Sequence, residues 1–152
     1  LLKQQPVARD LRSVSSALKM ISDMERIGDQ SLDIIEIAGY VKKCDKESKH
    51  YIEDMSNAAG KMVSDSVEAF VRKDEELAKE VIASDDKVDA LFDIMKRRLI
   101  EIVSKEQADG EMYIDLIMIA KYYERIGDHA TNIAEWVLYY LTGTKVSGNK
   151  DS

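Results

Sequence analysis

Acidic residues in this sequence stand where an apolar helix seam should run. In the segment 74–105, Asp85 takes a core position in a three-four repeat of apolar residues, and Asp89 follows one turn later on the same face. In the segment 108–142, Glu124 and Asp128 interrupt the seam in the same way. The seam of the first of these segments reads Val81, Asp85, Val88, Phe92, Met95, Leu99 and Ile102.

The register of the two segments places these carboxylates opposite one another. Antiparallel helices joined by a short turn bring residues that are equally far from the turn to the same level. Asp89 and Glu124 are equally far from the middle of 104–109, and so are Asp85 and Asp128. The sequence therefore predicts that four carboxylates meet inside one helical hairpin.

Four buried carboxylates repel one another and are poorly solvated, so they need protons, basic partners or bound cations. Lys96 and Lys121 lie near the same faces and are candidates for ion pairs. Oxygen ligands suit hard ions such as Mg²⁺, Ca²⁺ or Mn²⁺, and carboxylate clusters in bundles also hold iron. The alternative is that the acidic stripe is only the solvated side of a loosely packed bundle.

The pentapeptide Glu-Arg-Ile-Gly-Asp occurs twice, at 25–29 and at 124–128, and further matches continue at the same offset. Glu25, Asp29 and Asp33 therefore form a second acidic edge on the first helix. The predicted inward seam of this helix reads Leu11, Val14, Leu18, Ile21, Glu25, Gly28, Leu32 and Ile35. The mid-helix glycines, Gly28 and Gly127, indicate close approach of a ligand or of another helix.

The periodicity predicts an all-α protein of four helices joined by short connections. They are expected at 6–43, 50–72, 74–105 and 108–142. The duplication divides the chain into three parts. Residues 1–43 would be the last helix of a first repeat whose first two helices are absent, 48–143 a complete three-helix repeat, and 144–152 a disordered tail.

Composition excludes several classes of protein. The formal charge of −7 argues against a nucleic-acid partner. A single cysteine, Cys44, excludes an internal disulfide and fits a reducing cytoplasm. No apolar run reaches the roughly 20 residues that a membrane span needs. We therefore expect a cytoplasmic protein.

Several motifs of the chain resemble those of the PhoU family of phosphate-uptake regulators. The similar stretches are 124–135, which looks like the family's signature helix, 5–12, which resembles the segment opening that helix in a first repeat, and 85–89, which matches an acidic-x-x-x-Asp pattern. The resemblance implies antiparallel three-helix bundle repeats and metal clusters of iron, zinc, nickel or magnesium. By position, one cluster would use Glu25, Asp29 and Asp33, and the other Asp85, Asp89, Glu124, Asp128 and Asn132.

The resemblance also implies a function. Such a protein would be a non-enzymatic, metal-binding regulator that binds a phosphate ABC transporter ATPase and a sensor histidine kinase, with membrane association only through these partners. A homodimer is left open. The alternatives are the cytoplasmic domain of a sodium/phosphate cotransporter, a bundle without metal, and a di-metal carboxylate enzyme. The enzyme is disfavoured because the acidic helices lack histidine at Glu-x-x-His spacing, and His129 points about 100° away from Asp128.

Overall fold

The computed structural model describes residues 4–105 and 109–143 of the chain. They form four α-helices and one short 3₁₀ turn, and the described ranges contain no strand. The helices are α1 (Gln4–Ala38), α2 (Lys46–Arg72), α3 (Glu75–Val103) and α4 (Gly110–Thr142), with the 3₁₀ turn at Gly39–Val41. The all-α prediction is confirmed. The predicted tail, 144–152, lies outside the described residues.

Aspartate residues begin three of the four helices. The side chains of Asp45, Asp74 and Asp109 each accept a hydrogen bond from the backbone N–H three residues later. This contact satisfies one of the amide groups that a helix start leaves without a partner. The caps explain why α2 starts at Lys46, four residues before the start expected from apolar periodicity alone.

Helices α2, α3 and α4 pack into an antiparallel three-helix unit. Asp45 at the start of α2 lies beside Arg98 near the end of α3 and Tyr113 near the start of α4, so α2 runs parallel to α4 and antiparallel to α3. The fully buried core of this unit includes Met55, Met62, Val81, Val88, Met95, Leu116, Ile133 and Val137. The predicted inward position of Val71 is wrong, because that residue lies at the end of α2 and is exposed.

Helix α1 packs along α4 in the opposite direction. Arg12 lies beside Gly143, and Asp23 contacts His129. The buried side of α1 contains Met20, Ile27 and Ile34, whose equivalents 99 positions later, Ile119, Ile126 and Ile133, are also buried. The two copies of the repeated helix therefore share one buried face.

The predicted inward seam of α1 is exposed, which corrects the sequence-based expectation. Leu11, Val14, Leu18, Ile21, Leu32 and Ile35 are between 55% and 70% exposed. The expectation failed because helix periodicity shows that a face is apolar, but not which element covers it. On α4, the equivalent face packs against α2 and α3. No helix within the described ranges is long and apolar enough to cross a membrane.

Candidate metal centre

Three aspartates from two helices converge at the middle of the α3–α4 pair. One carboxylate oxygen from each of Asp85, Asp89 and Asp128 lies within 4.8 Å of the other two. Asp85 and Asp89 are one turn apart on α3, and Asp128 reaches the group from the antiparallel α4. We call these three residues the aspartate triad. It is the only group of this kind within the described ranges.

The aspartate triad spans the boundary between the core and the solvent. Asp85 is only 4% exposed, Asp89 is half-buried and Asp128 is exposed. Asp85 is thus enclosed by the core, whereas Asp128 is open to an ion approaching from the solvent. Asp85 also lies against α4, since its Oδ1 atom is 3.7 Å from the position that a Cβ on Gly127 would take.

The chemistry and spacing of the triad fit a hard cation. Metal–oxygen distances of about 2.0–2.6 Å allow two ligands of one ion to be roughly 4–5 Å apart. The 4.8 Å limit on the triad therefore permits all three oxygens to bind a single ion. Oxygen-only ligation is typical of magnesium, calcium and manganese, and carboxylate-rich bundles also hold iron.

Glu124, the fourth predicted carboxylate, is not part of the triad. Its Oε1 atom accepts from the Lys121 Nζ atom at 2.6 Å, one turn earlier on α4. The Lys121 ammonium also lies 5.1 Å from the centre of the Phe92 ring on α3. The sequence predicted that Lys121 lies near the acidic face. It did not predict that Lys121 pairs with Glu124, because that contact depends on the side-chain conformations.

Asn132, another predicted ligand, is oriented toward α1. Its side-chain amide donates to Asp23 Oδ1 at 3.3 Å, and His129 Nδ1 lies 3.0 Å from the same oxygen. Asp23 on α1 therefore contacts both His129 and Asn132 on α4, across the interface between the two repeated helices. Sequence reasoning missed this contact, because Asp23 lies outside the repeated pentapeptide and no spacing rule pairs residues 106 positions apart.

The acidic residues of the first copy do not gather into a group within the described part of the chain. Glu25 and Asp29 are exposed, and Asp33 is half-buried. They lie on a single helix, whereas the triad requires an opposing helix to supply its remaining carboxylates. Their environment therefore differs from that of Glu124 and Asp128, although the local sequence is identical.

The two mid-helix glycines also differ. A Cβ on Gly127 would make ordinary contacts, at 3.6–3.7 Å, with Met62, Val88 and Asp85. A Cβ on Gly28 would have no described neighbour within 4 Å. At Gly127 the close approach that the glycine predicted is a contact with the neighbouring helices. At Gly28 the described structure shows no such contact.

A second polar cluster joins the helices at one end of the bundle. Asp45 accepts from the backbone of Ser48 and from the side chains of Arg98 and Tyr113. Arg98 also pairs with Glu47 at 2.9 Å. Partial burial alone would raise the pKa of Asp45, but the hydrogen bonds outweigh it and hold that pKa well below its usual range. Burial and then the hydrogen bond to Asp45 raise the pKa of Tyr113.

The PhoU domain matches residues 1–38 and 52–137 of this chain, which include both acidic helices of the triad and both copies of the repeat. The chain belongs to the PhoU domain family. Its relatives include the phosphate-specific transport system accessory protein PhoU homologues of Clostridium acetobutylicum, 36% identical, and of Pseudomonas aeruginosa, 34% identical. The matches cover 96% of this chain and 68% and 61% of those proteins.

Solved PhoU structures share the fold. The crystal structure of PhoU from Pseudomonas aeruginosa has a TM-score of 0.86 and 32% sequence identity, over 92% of this chain and 68% of that one. The regulatory protein PhoU from Streptococcus pneumoniae has a TM-score of 0.82 and 24% identity, over 91% of this chain and 66% of that one. The latter similarity supports the fold alone.

The prediction that the chain is not an enzyme is confirmed by its relatives, which are named as accessory proteins. The chain does contain one Glu-x-x-His spacing, from Glu47 to His50 at the start of α2. There Glu47 pairs with Arg98, and His50 lies 3.5 Å from Asp54. Neither residue belongs to the aspartate triad.

Proposed function

We propose that this chain is a metal-binding PhoU-type regulator of phosphate uptake and phosphate-starvation signalling. The observation that carries the metal-binding part is the convergence of Asp85, Asp89 and Asp128 on the family's repeated helix and its antiparallel neighbour. The naming of the relatives as accessory proteins of a phosphate-specific transport system supports the regulatory part.

In this proposal the aspartate triad holds a single metal ion. Asp85 supplies the fixed inner oxygen, Asp89 the second oxygen from the same helix, and Asp128 the oxygen that ties α4 to α3. The ion stabilises the bundle by compensating three formal negative charges that converge in one place. Iron and magnesium suit these ligands better than zinc or nickel, which favour nitrogen or sulfur more strongly.

The metal-binding part is tested by comparing Asp85→Asn with Asp86→Asn. Adding Mn²⁺ or Mg²⁺ should raise the melting temperature of the wild type and of Asp86→Asn, whose side chain is exposed and outside the triad. An ion at about 100 times its dissociation constant stabilises the folded state by roughly 2.7 kcal/mol. Asp85→Asn should lose this response. An equal response in all three proteins would refute the site.

We also propose that the protein works in the cytoplasm, by binding the ATPase of a phosphate ABC transporter and a sensor histidine kinase. The naming of the relatives as accessory proteins of a phosphate-specific transport system supports partners of this kind. Co-purification from cells grown with abundant phosphate should recover the transporter ATPase or the kinase. Consistent failure to recover either partner would contradict this part of the proposal and leave the metal site standing.

We propose, finally, that the exposed apolar and acidic face of α1 is covered in the functional protein by a helical pair of the α2–α3 type. This proposal rests on the equivalence of α1 and α4, since the equivalent face of α4 packs against α2 and α3. The carboxylates of Glu25 and Asp29 would then face acidic residues from the covering helices. Residues 1–43 and 48–143 would thus belong to two repeats of one fold.

A further inference from the structure

Lys121 forms an ion pair with Glu124, a carboxylate that the sequence assigns to the metal site. Lys121 Nζ lies 2.6 Å from Glu124 Oε1, and the Glu124 side chain is only 14% exposed. A mostly buried carboxylate is costly without a compensating charge, so the ammonium group stabilises Glu124 in this position. Asp128, a member of the triad, is one helical turn further along α4.

The Phe92 ring gives Lys121 a second support. The ammonium group lies 5.1 Å from the ring centre, within the range of a cation–π contact. Phe92 is on α3, one turn beyond Asp89, so the Lys121 side chain bridges the same two helices that form the triad. The ammonium can therefore release Glu124 and remain held against the ring.

The first copy of the repeat lacks this lysine. The residue equivalent to Lys121 is Ser22, whereas Glu25 and Asp29 are retained. The repeated pentapeptide thus carries the acidic residues in both copies, and the lysine is a feature of the second copy alone. Burial of the positions that both copies share does not require it, because Met20, Ile27 and Ile34 are buried in α1 without such a lysine.

We propose that Lys121 restricts the metal centre to three carboxylates by holding Glu124 as its counter-ion. This inference rests on the proposed metal site and specifies its regulation. While the ion pair is intact, Glu124 stays outside the metal shell, and the nearby positive charge weakens cation binding. Breaking the pair adds a fourth carboxylate and strengthens binding. Lys121 thereby sets the affinity of the site.

The test is a Mn²⁺ titration of the full chain, with bound metal measured by electron paramagnetic resonance. Lys121→Gln should bind Mn²⁺ about tenfold more tightly than the wild type, because a positive charge is removed and Glu124 is released. Its metal-free form should melt at a lower temperature than the wild type, because Glu124 loses its counter-ion. Lys121→Arg keeps the charge and should retain wild-type affinity.

Two further variants separate this effect from a general change in charge. Lys61→Gln removes the same charge from another ion pair within a helix, that of Lys61 with Asp65, and should leave the affinity near that of the wild type. In Lys121→Gln combined with Glu124→Gln, the gain should disappear, since no fourth carboxylate remains.

The possible outcomes distinguish the two proposals. If the wild type binds no Mn²⁺ at the triad, both the metal site and the role of Lys121 are refuted. If the wild type binds and Lys121→Gln binds equally or more weakly, Lys121 is a structural support and only the present inference fails. A gain that persists in the double variant would show that loss of the ammonium group raises the affinity without any contribution from Glu124, and would also contradict the inference.

Discussion

Neighbouring residues decide what each carboxylate in this bundle can do. Asp85 and Glu124 both occupy core positions on helix seams, yet Asp85 joins two other aspartates while Glu124 is paired with Lys121. The ammonium group compensates the charge of Glu124, whereas the three aspartates bring their oxygens close enough together to bind one cation. The candidate metal centre is therefore defined by the aspartates that converge, not by every acidic residue in the repeated motif.

Asp45 provides a test of electrostatic stabilisation outside the metal centre. Its pKa is depressed in the folded protein, so its contribution is present above the unfolded pKa, near 3.9, and is lost as the pH falls through the folded value. Asp45→Asn should lower the free energy of unfolding at pH 7 by about 1 kcal/mol, since the site is partly screened by solvent. Urea titrations at pH 7 and pH 3 should show the difference shrinking in acid.

The matched control is Asp109→Asn at the start of α4. Asparagine caps helices about as well as aspartate, so this variant keeps the cap and tests the loss of charge alone. Asp109 is exposed, and its side chain accepts the capping hydrogen bond from the backbone N–H of Met112. Equal destabilisation of the two variants at pH 7 would show that the contacts of Asp45 with Arg98 and Tyr113 add nothing.

At the level of single helices, α1 has two apolar faces with different roles. Ile34 is 9% exposed and packs toward α4, whereas its neighbour Ile35 is 70% exposed. The sequence alone gives no reason to prefer one face, because both carry large aliphatic residues at helical spacing. The preference emerges only from the antiparallel contact between α1 and α4.

A pair of adjacent substitutions tests this difference. Ile34→Ala should lower the free energy of unfolding by about 2–4 kcal/mol, because it leaves a cavity in the interface with α4. Ile35→Ala should change it by less than about 0.5 kcal/mol, as is usual for exposed positions. Denaturant unfolding monitored by circular dichroism measures both. Similar losses in the two variants would mean that the Ile35 face is also covered in solution.

The elements and their register were predictable because helical periodicity and the symmetry of a hairpin depend only on spacing along the chain. This reasoning located Asp85 at a core position and Asp89 on the same face, and placed both opposite α4. It could not find the link between Asp23 and His129 or the cluster around Asp45, since those contacts join residues far apart in sequence. It also assigned the wrong face of α1 to the interior, because apolar character does not identify the covering element.

At the level of the whole molecule, the two copies of the repeated helix are equivalent in sequence but not in environment. Ile27 on α1 and its equivalent Ile126 on α4 are both buried. Within the described structure, however, only α4 has its acidic face covered by other helices. The exposed face of α1 forms an apolar stripe interrupted by Glu25 and Asp29. An exposed apolar stripe rimmed by polar residues typically marks a site of association.

The stripe should therefore cause this chain to associate when no other element covers it. Leu18→Lys combined with Leu32→Lys should reduce concentration-dependent association in analytical ultracentrifugation and lower the binding of a hydrophobic dye. The melting temperature should change little, because both residues are more than half exposed. The control is Ile114→Lys, at an exposed apolar position on α4, which should leave association unchanged. If the double variant associates like the wild type, contacts outside the stripe hold the copies together, and the proposed covering of α1 loses its support.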